Sequence, residues 1–94
     1  MKRKSYQRVW DAIEPSASEA ASMKVRAQMM IAIQQTVDDW GVTQAAAAKR
    51  LGLTQPRMSD LLRGRISKFS LDSLMNLASQ AGLAVRVRVS RKAA

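Results

Sequence analysis

Apolar residues recur along this chain in two rhythms, and the change from one to the other falls at Gly82. Upstream they step by three and four residues, the spacing of helices with one buried face. Tyr6, Val9, Trp10 and Ile13 open the series as a helix of two turns at most, which Pro15 ends. Ser16 with Glu19 forms a capping box; Ala20, Met23, Ala27, Met30, Ile33, Val37 and Trp40 then give a long helix its inward stripe, closed by Gly41. Asp38 and Asp39 fall in its last turn, where the macrodipole disfavours acids, and nothing in the sequence accounts for them. Thr43 caps an Ala-rich helix over Gln44 to Leu51 that Gly52 stops. Thr54 caps the next, with Pro56 in its first turn, Met58, Leu61 and Leu62 inward, and Gly64 closing it. Arg65 to Phe69 reads as a loop. Ser70 caps a last helix that buries Leu71, Leu74, Met75 and Ala78, with Leu77 as a further candidate, and ends at Gly82.

Beyond Gly82, Leu83, Val85, Val87 and Val89 alternate with Ala84, Arg86 and Arg88, the two-residue period of a half-buried strand. A lone strand leaves its backbone N–H and C=O groups unpaired, and the least costly remedy is the same strand from a second copy across a two-fold axis. The pattern therefore predicts a dimer joined by an intermolecular β-ribbon, with a solvated tail as the alternative. The expected fold is mainly α: four to five helices with one C-terminal strand. Residues 1–15 form an N-terminal arm or short helix, 16–82 the helical domain, and 83–94 the dimerisation strand and basic tail.

Composition narrows what such a chain can do. Ninety-four residues allow one domain with one modest core, burying roughly 60–65% of the unfolded surface. The absence of Cys and His excludes disulfide frameworks, zinc fingers and the commonest nucleophile and acid–base chemistry, so neither a metal, a cofactor nor an enzymatic activity is expected. Lys2, Arg3 and Lys4 are followed by no apolar run of signal-peptide length, and no stretch is long enough to span a bilayer; a cytoplasmic location is the expectation. Charge changes the picture most. Residues 1–39 carry six basic and five acidic side chains, whereas residues 40–94 carry ten basic and two acidic, so nearly all of the +9 net charge lies in the C-terminal part. An anionic partner is the usual reason for such an excess, nucleic acid before a membrane surface.

The segment from Thr43 to Gly64, TQAAAAKRLGLTQPRMSDLLRG, places two short helices around a turn at Gly52 and Leu53, the spacing of a helix-turn-helix. Ala48 falls where the helices cross, and a methyl permits their close approach; Gly52 falls where the turn needs positive φ. In Thr43-Gln44-Ala45, Ala48, Leu51-Gly52, Thr54-Gln55, Leu61 and Gly64 the chain resembles the helix-turn-helix (XRE) domains of phage repressor and Cro proteins. That resemblance implies Gln44 on a phosphate and Gln55 with its neighbours on base edges in the major groove. Pro56 departs from the pattern at a position that is frequently polar. The long first helix, the SLDSL helix and the final strand look like the HigA-like antitoxins of type II toxin–antitoxin pairs. This second resemblance implies an autorepressor acting as a dimer on an inverted repeat, with a ribonuclease-type toxin as partner. A stand-alone phage- or plasmid-type repressor is the alternative.

The outward face of the second motif helix offers Gln55, Pro56, Arg57, Ser59, Asp60 and Arg63. Arg57 suits guanine O6 and N7, Gln55 suits adenine N6 and N7, and Asp60 could accept from cytosine N4; a solvated face or a phosphate contact is the alternative for each. Gln44, Arg63, Arg65 and Lys68 suit phosphates, with Thr43 and Thr54 beside them at the helix starts. Arg86 and Arg88 serve either solubility or phosphate contact. Tyr6, Val9, Trp10 and Ile13 serve either as local core or as a partner-binding helix. Duplex DNA and a second copy of the chain are the expected partners.

Overall fold

A computed structural model describes residues 17–91. Among them are four α-helices: α1 (Ala17–Trp40), α2 (Gln44–Leu51), α3 (Gln55–Leu62) and α4 (Leu71–Gln80), with a 3₁₀ turn at Ile66–Lys68. The helix expected around Tyr6, Val9, Trp10 and Ile13, the Ser16 half of the capping box and the last three residues of the tail lie outside the described residues.

Each short helix starts on a hydroxyl. Thr43, Thr54 and Ser70 all have extended backbone, and their side-chain oxygens accept from Ala46 N, Arg57 N and Ser73 N, each satisfying a donor the helix itself cannot. The motif helices also end alike. Gly52, at φ 67°, lets its N–H reach the Lys49 carbonyl while Leu53 N–H reaches that of Ala48 at 2.8 Å. Gly64, at φ 71°, repeats the arrangement, with Arg65 N–H on the Asp60 carbonyl at 3.0 Å. Both are Schellman turns, which a side-chain-bearing residue at the glycine would strain.

The core lies between α1 on one side and α2, α3 and α4 on the other. Ile33, Met58, Leu61, Phe69 and Leu74 are its largest fully buried side chains, and no polar side chain among the described residues is buried. α1 runs about 36 Å at 1.5 Å per residue, longer than the elements it packs against. Met30, Ile33 and Val37 are buried as expected, but Ala20 and Met23, expected in the same stripe, are exposed because the first turns of α1 outrun the core.

Three other expected core positions are corrected. Leu62, Leu71 and Met75 are 41%, 36% and 44% exposed. In α4 the buried stripe is Leu74, Leu77 and Ala78, turned away from Met75, so Leu77 takes the place given to its neighbours. In α3 Met58 and Leu61 fill the contact and Leu62 sits on the flank. Phe69, read as loop, is 1% exposed, since the 3₁₀ turn delivers its ring into the core. Residues 83–91 form no strand: Leu83 packs against the core, while Val85, Val87 and Val89 are exposed. Among the described residues no other segment is extended alongside it, so the described fold is all-α.

Candidate nucleic-acid interface

Ala47 and Ala48 are buried on α2, where small side chains let α3 approach closely. That approach fixes which side of α3 looks outward. At about 100° per residue the buried pair Met58 and Leu61 defines the inner direction, and the opposite direction falls on Pro56 and Arg63, with Ser59 and Asp60 equally displaced to either side and Gln55 beyond Ser59. Gln55, Pro56 and Arg63 are exposed; Ser59 and Asp60 are half-buried. Arg57 falls on the flank facing the 3₁₀ turn, and Leu62 on the other flank.

Two of the residues expected to read bases are engaged within the fold. The Arg57 guanidinium lies over the Phe69 ring, with Cζ 4.1 Å from the ring centroid, and its Nη1 donates to the Lys68 carbonyl at 2.6 Å. Asp60 pairs with Arg65 at 3.7 Å, with the Arg65 side chain half exposed. Lys68, Arg63 and Arg65 stay exposed along the segment that follows α3, presenting cations beside its outward face.

Thr43 and Gln44 stand exposed at the start of α2, and Gln44 shares a shallow groove with Gln34, Asp38, Val42 and Leu62. The structure thus gathers Gln44, Gln55, Pro56, Ser59, Arg63, Arg65 and Lys68 around α2 and α3. Leu83 and Val85 line a separate groove with Gln28, Met29, Ala32 and Ala78. Arg50, at the end of α2, lies 4.9 Å over the Trp40 ring.

Three residues that support this surface carried no sequence signal for the task. Gln34 on α1 donates from Nε2 to the Leu61 carbonyl at 2.7 Å, satisfying the end of α3 across 27 residues of sequence. Arg26, also on α1, donates from Nη1 to the Phe69 carbonyl at 3.2 Å. Phe69 is the third. Among the described residues no cluster of acidic side chains could hold a metal ion, and no helix is long and apolar enough to cross a membrane.

Comparison with known proteins agrees with this geometry. The sequence matches a family described as helix-turn-helix domain over residues 12–90. The fold is similar to a solved structure described as an XRE-family transcriptional regulator, with TM-score 0.71 and 30% sequence identity, covering 78% of this chain and 82% of that one. No curated protein matches the sequence.

Proposed function

The chain belongs to the helix-turn-helix domain family and is an XRE-family DNA-binding transcriptional regulator, not an enzyme, and from that premise we propose that it is a sequence-specific repressor acting as a dimer on an inverted repeat. The observation that carries this reading is the outward side of α3, where Gln55, Pro56 and Arg63 are exposed and Ser59 is half-buried, bordered by the cations Arg65 and Lys68. In a major groove Gln55 suits the edge of adenine, Ser59 suits several bases, and Pro56 suits a thymine methyl, so the departure at Pro56 exchanges a polar contact for an apolar one. Arg63, Arg65, Lys68 and the Gln44 side chain at the start of α2 hold phosphates, which fix register without reading sequence.

Two-fold symmetry comes from the last segment. Val85, Val87 and Val89 are exposed and alternate along the sequence, and pairing this segment with its counterpart in a second copy satisfies its backbone N–H and C=O groups and sets the valines of the two copies side by side. Two α3 helices then lie about 34 Å apart on one face of the duplex.

The reading is tested by fluorescence anisotropy on a duplex selected from a randomised pool and on its scrambled counterpart. Gln55→Ala is expected to cost about 1–3 kcal/mol on the selected duplex and little on the scrambled one, while Lys68→Ala weakens both alike. Equal affinity of the unaltered chain for the two duplexes at every salt concentration would overturn sequence specificity. A second reading, that the regulator also holds a small ribonuclease-type toxin as HigA-like antitoxins do, draws on the exposed Met23, Val25 and Ile31 of α1. Co-purification of such a partner from the native host, lost in Met23→Lys, supports it; purification of the regulator alone argues for a stand-alone repressor.

A further inference from the structure

One side chain, Arg57, joins α3 to the segment that carries Arg65 and Lys68. Both of its partners lie on that segment: the guanidinium carbon sits 4.1 Å from the Phe69 ring centroid and Nη1 donates to the Lys68 carbonyl. From the opposite side, Arg26 of α1 holds the next carbonyl, that of Phe69, at 3.2 Å. Two successive carbonyls are thus gripped by guanidinium groups from two different helices. At its other end the segment is held by Asp60, whose carboxylate pairs with Arg65 and whose carbonyl accepts from the Arg65 N–H.

Reading guanine needs the guanidinium fork turned to O6 and N7 together. Nη1 is directed at the Lys68 carbonyl and the guanidinium lies over the Phe69 ring, so swinging the side chain round to the outward side of α3 would give up a charged hydrogen bond and a cation–π contact, both stronger than ordinary surface contacts. It also lies on the flank of α3 facing the 3₁₀ turn, off the outward direction marked by Pro56 and Arg63. We infer that Arg57 is a positioning residue: it sets the Arg65–Lys68 segment beside α3 so that those cations meet the phosphate backbone, and it reads no base. The inference rests on the DNA-binding reading above. Its consequence is that base recognition on α3 passes to Gln55, Pro56 and Ser59.

Salt dependence separates this role from a structural one. Each lost phosphate contact lowers the slope of log affinity against log salt by about 0.9, whereas partial unfolding lowers the active fraction and leaves the slope unchanged. The full chain, Arg57→Ala, Arg57→Lys, Lys68→Ala and the Arg57→Ala/Lys68→Ala double variant are titrated with the selected and the scrambled duplex between about 50 and 200 mM salt. Arg57→Ala is expected to weaken both duplexes alike by roughly three- to ten-fold and to lower the slope by about one. Adding Lys68→Ala to it changes little more, and Arg57→Lys recovers part of the loss. Should Arg57→Ala fail to fold, Phe69→Leu keeps most of the buried bulk, removes the ring, and is expected to give the same pattern at smaller size.

A loss confined to the selected duplex would make Arg57 a base reader and overturn the inference. Arg57 and Lys68 losses that add on the logarithmic scale would make Arg57 an independent phosphate contact, also against it, as would an unchanged slope. If the unaltered chain binds neither duplex, the DNA-binding reading itself fails, and the inference with it.

Discussion

From Thr43 to Gly64, the side chains of Ala47, Ala48, Leu51, Met58 and Leu61 are withdrawn from water, whereas Val85, Val87 and Val89 near the C-terminus remain 41%, 78% and 88% exposed. Both regions have a regular apolar rhythm. The difference is what faces them. The motif helices turn their stripes towards α1 and α4, which supply matching apolar surface; among the described residues, the valines of the C-terminal segment meet at most the groove that Val85 shares with Met29, Ala32 and Ala78. A period states which side of an element is apolar, and burial requires a second surface to receive it.

The largest expected effect that probes this contrast comes from Leu61→Ala. Leu61 is fully buried, and its truncation should lower unfolding free energy by about 2–5 kcal/mol in a urea titration. A loss below about 1 kcal/mol would mean that the motif is packed no better than the tail. Gly52→Val is expected to cost about 1–2 kcal/mol from backbone strain alone, since φ is 67° and no atom lies within 4 Å of the added Cβ. Thermal melts of Gly52→Ala and Gly52→Val check this, because both carry the left-handed strain and should fall well below the unaltered chain.

Thr54→Ala removes the side-chain acceptor for Arg57 N–H and should cost about 1 kcal/mol, with Thr54→Ser restoring most of it. The smallest effect is expected at Val87. At dilutions that separate two copies, Val87→Lys should change stability by less than about 0.5 kcal/mol. At higher concentrations only the unaltered chain should gain thermal stability with concentration, the mark of a self-associating segment. A melting temperature that stays constant across concentration for both proteins would leave the tail solvated and remove the ribbon.

Local signals marked most of the fold. The hydroxyl caps at Thr43, Thr54 and Ser70 and the closing glycines at Gly52 and Gly64 act within a few residues of sequence, so the helix boundaries in the motif follow from the chain itself. The corrected positions have a different origin. Leu62, Leu71 and Met75 are apolar residues at the edge of a helical stripe, and which edge is covered depends on the angle at which the neighbouring helix crosses. Phe69 stands alone between two helices, where periodicity has nothing to act on. Around α2 and α3, the exposure of Gln44, Gln55, Arg63 and Lys68 follows from their polar side chains, but the commitment of Arg57 to Phe69 and of Asp60 to Arg65 was not legible.

By itself, then, the sequence determined the three short helices α2, α3 and α4, the caps that start them, the close crossing at Ala48 and the concentration of positive charge around and after the motif, because each of these depends on neighbours along the chain. Tertiary structure alone decided that Gln34 bonds the end of α3, that Arg26 and Arg57 grip consecutive carbonyls, and that an arginine on α3 is turned away from its outward face. The hydrogen bonds from α1 span 27 and 43 residues and the one from Arg57 spans 11, and no periodicity encodes a contact that exists only once the helices have packed.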